Sequence, residues 1–266
     1  DPDVDAVYIG SPHDGHCAHT LLCLAHGKHV LCEKPLALGA AQGEAMIAAA
    51  RERGLALMEA VWTRFLPSVA KARALVEAGA IGELRMIQAD FGFRAAFDPH
   101  SRLFDPARGG GALLDLGIYP VNLAVMLAGA PVEIVSSANR GATGVDVEDA
   151  FILRHARGEL SVLTAALTVD TPREAHLLGT GGRLTLAHPW WAGTRLVHTD
   201  AAGAVHTHDL PHRGGGYTHE AEAFMALIRN GKVESPVMPW DHSLAVLRVM
   251  DALRGEWGVR YPGENP

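Results

Sequence analysis

Cysteine is scarce in this chain of 266 residues, with only Cys17, Cys23 and Cys32. Their odd number and crowding near the start do not suit a secreted disulfide framework, and predict a protein of the reducing cytoplasm. Long apolar runs are lacking too. No segment reads as the roughly 18 to 20 apolar residues that cross a bilayer, and no basic stretch followed by an apolar one opens the chain. The expectation is a soluble protein with no membrane partner. Blocks of Lys and Arg are also missing, and the net charge is −7. The basic footprint that grips a phosphate backbone is therefore absent, and nucleic acid is not an expected partner.

What is present is ordinary globular material: 48% hydrophobic and 20% charged residues, enough for a substantial core in one or two domains. The first residue is Asp1, and Val4 to Ile9 read at once as a buried strand, so further chain is expected to precede it. A helix from His16 to His26, a strand from His29 to Cys32, a helix from Leu38 to Arg53 and a strand from Leu55 to Val61 follow. Strand, helix, strand, helix, strand at these lengths predicts parallel strands joined by right-handed crossovers, the second half of a doubly wound sheet.

After Trp62 the texture changes. Helices are predicted over Pro67 to Ala78 and Ala112 to Leu127, with a strand over Glu83 to Phe93 before a Gly-rich loop. From Val132 to Leu210 strands dominate, and turns at Arg157-Gly158, Gly181-Gly182 and Ala202-Gly203 predict consecutive antiparallel hairpins. Helices over Thr218 to Arg229 and Asp241 to Trp257 close the chain. The fold class is thus α/β plus α+β: a partial Rossmann domain over residues 1–62, then an α+β domain over 63–266 with a large, mostly antiparallel open sheet.

Chemistry concentrates at the carboxyl ends of the parallel strands, where ligands bind in such sheets. HVLCEKP brings Glu33 and Lys34 to that edge, and Pro35 ends the strand there. A surface ion pair is the plainer reading. Ser11, Pro12, His13 and His16 leave the neighbouring strand at the same edge, as a simple loop or as a helix start offering amides to a dinucleotide. Trp62 and Arg64 offer a flat ring and a fixed cation, or simply packing. In GGGALLDLGIYPV, Asp115 and Tyr119 stand four apart, on one helical face. A phenol needs a nearby cation to act as a base near neutral pH, and Lys34 is the candidate; the alternative is a buried Tyr119 hydrogen-bonded to Asp115. Among the 15 histidines, His13, His16 and His19 and the set His206, His208 and His212 raise a metal site. No acid or thiol stands at ligand spacing, so surface histidines are the simpler account and no metal is expected.

Taken in order, IGSPHDGH, GKHVLCEKP, EAVWTRFLP, GGGALLDLGIYP, GGGYTHEAEAF and ESPVMPWDHSLAVLRVMDAL resemble the Gfo/Idh/MocA oxidoreductases over nearly the whole chain. The resemblance implies an NADP- or NAD-dependent dehydrogenase acting on a hydroxyl-bearing carbon of a sugar or trans-dihydrodiol, with NADP the preferred expectation. It implies Lys34, Tyr119 and Asp115 as the catalytic group, with Ser11, Pro12, His13, His16, Glu33, Pro35 and Arg64 about the cofactor. Trp62, Phe93 and Trp190 or Trp191 join Asp115 as the substrate wall, and a homodimer through the open sheet face is implied. The family's opening GxGxxG half is not found, about 60 residues by the length of βαβ units. LLGTGGRLTL at Leu177 to Leu186 is no substitute, since it reads as a hairpin. A non-catalytic sugar or nucleotide sensor on the same fold, or an inactive fragment, is the rival reading.

Overall fold

A computed structural model describes residues 1–262. Its first sixty residues form β1 (Ala6–Ile9), α1 (His16–Ala25), β2 (His29–Glu33), α2 (Ala40–Arg53) and β3 (Leu57–Ala60). The three strands pair in parallel in the order β1-β2-β3. Val30 and Cys32 are buried on one face with Leu24 of α1 and Met46, Ile47 and Ala50 of α2. Leu31 and Met58 turn the other way and pack with Phe224 and Leu227. α2 stops where Gly54 takes φ 62°, a conformation that only glycine adopts without steric cost. β1 departs from the expected strand buried on both faces: it lies at the edge of this sheet, and Tyr8 is 54% exposed.

The second sheet has eight strands. α3 (Pro67–Glu77) leads to β4 (Leu84–Gly92), then a long connection reaches a π-helical turn, Leu113–Gly117, which runs into α4 (Ile118–Ala128). Strands β5 (Pro131–Arg140), β6 (Asp146–His155), β7 (Leu160–Ala166), β8 (Ala175–Gly179), β9 (Gly182–Leu186), β10 (Arg195–Asp200) and β11 (Val205–Asp209) follow, and α5 (Tyr217–Arg229) and α6 (Trp240–Trp257) close the chain. The sheet order is β11-β10-β9-β8-β4-β7-β6-β5. The three expected hairpins form, but β7 and β8 are not neighbours. β4 lies between them, parallel to β7 and antiparallel to β8, so a long-range pairing replaces the expected unbroken meander.

Alternation assigns the two faces of this sheet. Phe151, Leu153, Leu163, Ala165, Ile87 and Leu177 are buried, while Val135 and Ile152, paired across β5 and β6, remain 59% and 42% exposed. The stretch Pro106–Ala128 does have the length and hydropathy of a membrane span, contrary to the reading of the sequence, but 83% of its apolar window is buried in the core. α5 and α6 return to the first sheet, where Trp240 Nε1 donates to Leu57 O at 2.9 Å.

Two acids are buried beneath the π-helical turn. Asp146 Oδ2 accepts the Leu113 N–H at 2.6 Å, and Asp149 Oδ1 accepts the Ala165 N–H at 2.9 Å. The carboxyls bond to each other, and Asp146 Oδ1 and Asp149 Oδ2 have no other donor. Two adjacent carboxylates cannot both stay ionised away from water, so the pair holds a proton. Burial raises both acids; Asp146 raises Asp149 further, whereas the Arg254 cation acts to lower Asp146. Gly111 passes at φ 124°, and a Cβ there would fall 2.3 Å from Asp146 Oδ1.

The folded chain thus keeps a proton that the unfolded chain releases above about pH 4. Stability is full below that point and declines as pH rises toward the raised folded value, by at most about 1.4 kcal/mol per pH unit. Asp149→Asn replaces the shared proton with a permanent N–H and is expected to flatten that decline. Thermal midpoints taken across a pH series test this; parallel curves for variant and parent would refute it.

Candidate active site

β1 and β2 end on one edge, and the chain leaving each turns into the same cleft. Ser11 and Pro12 follow β1, a 3₁₀ turn (His13–Gly15) leads into α1, and Glu33 and Lys34 terminate β2. The π-helical turn brings Asp115 from the other side. Together with Gly10, His16, Arg102, Tyr119 and Tyr217 they enclose a cavity of about 290 Å³.

Lys34 is not the surface ion pair that its motif alone suggests. Its side chain is 12% exposed, and Nζ donates to Asp115 O at 2.8 Å and Asp115 Oδ1 at 3.2 Å. Burial pulls the ammonium down, but Asp115 in particular outweighs it, so Lys34 stays protonated. Arg102 Nη1 reaches the same Oδ1 at 2.7 Å, and His13 Nε2 stands 4.0 Å away. Burial alone would raise Asp115; Lys34 and Arg102 hold it well below the usual carboxylate range.

Tyr119 does not bond to Asp115, the pairing that its spacing allowed. Its Oη receives the Trp62 indole N–H at 3.1 Å, and Lys34 Nζ stands 5.0 Å from its ring centroid. Burial raises the phenol, while Lys34 and Trp62 act to lower it; the net shift is upward. The resting group is a neutral phenol, so Lys34 acts in the expected direction without producing a phenolate. Trp62 stacks on Tyr217 at 4.6 Å, and Phe91 lies 5.4 Å from Tyr119 with Trp191 stacked upon it.

The remaining predicted residues divide. His13 lies in the cleft, with Nδ1 3.1 Å from Gly109 O. His16 is clasped between Pro35 O at 2.7 Å and Ser11 O at 2.8 Å, joining the ends of both strands, and Pro35 itself is buried behind the cleft. His19 bonds to Ser11 Oγ. Arg64 is a correction: it is 3% exposed, and its donors are spent on Asn122, Val237 O and His242, because the short 3₁₀ turn after β3 drives it between α4 and α6. Trp190 is another, fully buried with Nε1 on Asp90 O. Trp62, Trp191 and Phe93 do not line the cavity; Trp62 packs against two residues that do, Tyr119 and Tyr217. Arg102, Phe91 and Tyr217 were not anticipated. Phe91 stands two residues before Phe93 on one strand face, and Tyr217 lies in GGGYTHEAEAF, so both had a signal; Arg102, in an aperiodic loop, had none.

Tyr217 also borders a second, apolar hollow of about 470 Å³ with Tyr8, Leu31, Glu220 and Ala221. Glu220 is 1% exposed and is pushed up to about 8 by burial and by Glu33. Tyr8 donates to Glu33 Oε1, while Oε2 accepts the Lys34 N–H at 3.2 Å. The acidic residue beside Lys34 is thereby fixed at both oxygens.

Residues 1–61 match the oxidoreductase family with an NAD-binding Rossmann fold, and residues 69–185 match the GFO/IDH/MocA C-terminal domain. The human trans-1,2-dihydrobenzene-1,2-diol dehydrogenase is 38% identical over 275 aligned positions, covering 100% of this chain and 81% of that protein. The Xenopus tropicalis enzyme of the same name is 35% identical, with coverage of 98% and 81%. Among solved structures, the aldose-aldose oxidoreductase from Caulobacter crescentus, complexed with glycerol, superposes with a TM-score of 0.84 at 30% identity, over 95% of this chain and 76% of that one. KijD10, a 3-ketoreductase from Actinomadura kijaniata in complex with NADP and TDP-benzene, gives 0.84 at 30% identity, with coverage of 96% and 79%.

His13 is lowered to about 4, first by burial and then by the Lys34 charge. Its ring is therefore expected to stay neutral from about pH 5 to pH 8, where an ordinary histidine titrates. Nitrogen NMR of the imidazole tests this, and a titration near the ordinary value of about 6.5 would refute the burial argument.

Proposed function

The chain belongs to the Gfo/Idh/MocA oxidoreductase family and is an NAD(P)-binding oxidoreductase; on that premise we propose that Lys34, Asp115 and Tyr119 carry its chemistry on a hydroxyl-bearing carbon of a sugar or trans-dihydrodiol. The observation that carries this reading is the meeting of Lys34 and Tyr119 in one cavity, from opposite sides, with Asp115 fixing the ammonium. The names of the relatives support the substrate class, and neighbours crystallised with NADP support that cofactor.

The residues present fit a nicotinamide. Two parallel strands end on the cleft, Gly10 and Pro12 line it, and the buried His13 and the part-buried Lys34 present polar atoms inside it. When bound, that group supplies the hydride acceptor for oxidation and the donor for reduction. Glu33, Lys34, His13, Ser11 and Pro12 would hold it, with His16, which also lines the cleft, joining the two strand ends, and Pro35 buried behind.

Tyr119 Oη exchanges the proton. In reduction the neutral phenol donates to the carbonyl oxygen as the alcohol forms; in oxidation the phenolate takes the hydroxyl proton. Lys34 keeps an N–H toward that oxygen and stabilises negative charge on it, while Trp62 orients the phenol. Because burial raises the phenol, reduction is favoured on the neutral side and oxidation on the alkaline side.

We further propose that the exposed face around Val135 and Ile152 is covered by a second copy of the chain, since paired apolar side chains at 59% and 42% exposure favour burial. The three free thiols support a reducing compartment, the cytoplasm.

Lys34→Ala and Tyr119→Phe are each expected to reduce kcat about 10²- to 10⁴-fold; Lys34→Ala also lowers the thermal midpoint, because it strands the Asp115 carboxylate, so Tyr119→Phe is the cleaner test of the chemistry. Steady-state assays on trans-dihydrodiols and aldoses with NADP and NAD test the assignment; full turnover in either variant defeats it. Ile152→Glu is expected to convert a dimer to a monomer in light scattering, and a monomeric parent would remove the dimer proposal.

A further inference from the structure

Two cations and a neutral imidazole converge on a single oxygen, Asp115 Oδ1: Arg102 Nη1 at 2.7 Å, Lys34 Nζ at 3.2 Å and His13 Nε2 at 4.0 Å. Arg102 makes the shortest of these contacts, yet its side chain is 57% exposed, against 12% for Lys34. It reaches in from the long connection between β4 and the π-helical turn, at the mouth of the cleft. An ammonium has three N–H donors. Lys34 spends one on Asp115 O and one on Oδ1, which leaves the third for the side where Tyr119 stands.

A carboxylate shared between two cations attracts each less than it would attract one alone, because each cation screens its charge from the other. We propose that Arg102 is a positioning residue for the reaction: by taking the shortest contact on Asp115 it limits the pull of that carboxylate on Lys34 and screens Tyr119 from its negative charge. The inference rests on the catalytic reading of Lys34 and Tyr119, and adds to it a residue that touches neither the phenol nor the reacting carbon.

The groups that face Tyr119 can be named from each side. Lys34, at the end of β2, and Arg102, in the loop, are cationic; Asp115, in the π-helical turn, is anionic; Tyr217, on α5, is a phenol; and Trp62, after β3, donates a hydrogen bond. Asp115 opposes ionisation of the phenol, and Lys34 favours it. Removing Arg102 leaves that carboxylate without its nearest counter-charge, so ionisation of Tyr119 must move to higher pH. A residue that merely tethered the loop would leave it in place.

The test uses the full chain and two readouts. Ultraviolet difference titration isolates the tyrosinate signal that Tyr119→Phe loses, with no turnover needed. The pH profile of kcat for alcohol oxidation gives the acidic limb. Arg102→Gln is expected to move both to higher pH and to lower kcat about tenfold on that limb, the equivalent of one pH unit. Arg102→Lys, which keeps the charge, is expected to leave both near their original positions. A Gln variant with an unmoved titration overturns the proposal, whether its rate falls or not, and so does a Lys variant that shifts as far as Gln. If Tyr119→Phe itself retains turnover, the acid–base assignment fails instead, and the two failures are told apart.

Discussion

An ammonium withdrawn from water persists only beside a counter-charge and enough acceptors, and the joint between the two sheets is built on that constraint. Lys34 belongs to the first sheet, whereas both oxygens that hold it belong to Asp115, on the helical segment covering the second. The pair therefore fixes the relation of strand end to helix as well as the charge of the cleft. Removing either partner would strand the other, a more serious matter than losing an exposed ion pair, which is worth about 0 to 1 kcal/mol.

The support beneath Asp115 repeats the same logic with a proton in place of a lysine. Asp146 grips the first N–H of the π-helical turn, Asp149 grips β7, and the two satisfy each other. Gly111 exists in this arrangement for want of room, since any side chain there would collide with Asp146. Cleft, turn and sheet thus form a stack of polar contacts through an otherwise apolar core. A change in the lowest layer would be felt at Lys34.

Much of this was legible in the sequence because it depends on local pattern. The alternation of strand and helix before Trp62 encodes parallel strands, and Pro35 places Lys34 at a strand end; both are decided within a few residues. The illegible parts are non-local. Insertion of β4 between β7 and β8 depends on pairings 74 to 95 residues apart, which no hairpin signal announces. Which of Trp190 and Trp191 turns inward is set by the loop after β9, and Arg64 is turned away from the cleft by a single 3₁₀ turn. Arg102 sits where no periodicity exists to read. The segment carrying Asp115 reads as plain helix, and only its widened turn, with the bonds to Lys34 and Arg102, shows why the acid faces the lysine instead of the phenol.

The position of β4 also bears on how the polypeptide comes into being. It leaves the ribosome long before β7 and β8, both of its neighbours, and at roughly 5 to 20 residues per second it must wait several seconds with both edges unpaired. A nascent strand in that condition is open to wrong partners. The polar and charged residues along it, Arg85, Gln88 and Asp90 among its apolar ones, give the waiting segment some protection against aggregation until the rest of the sheet is synthesised.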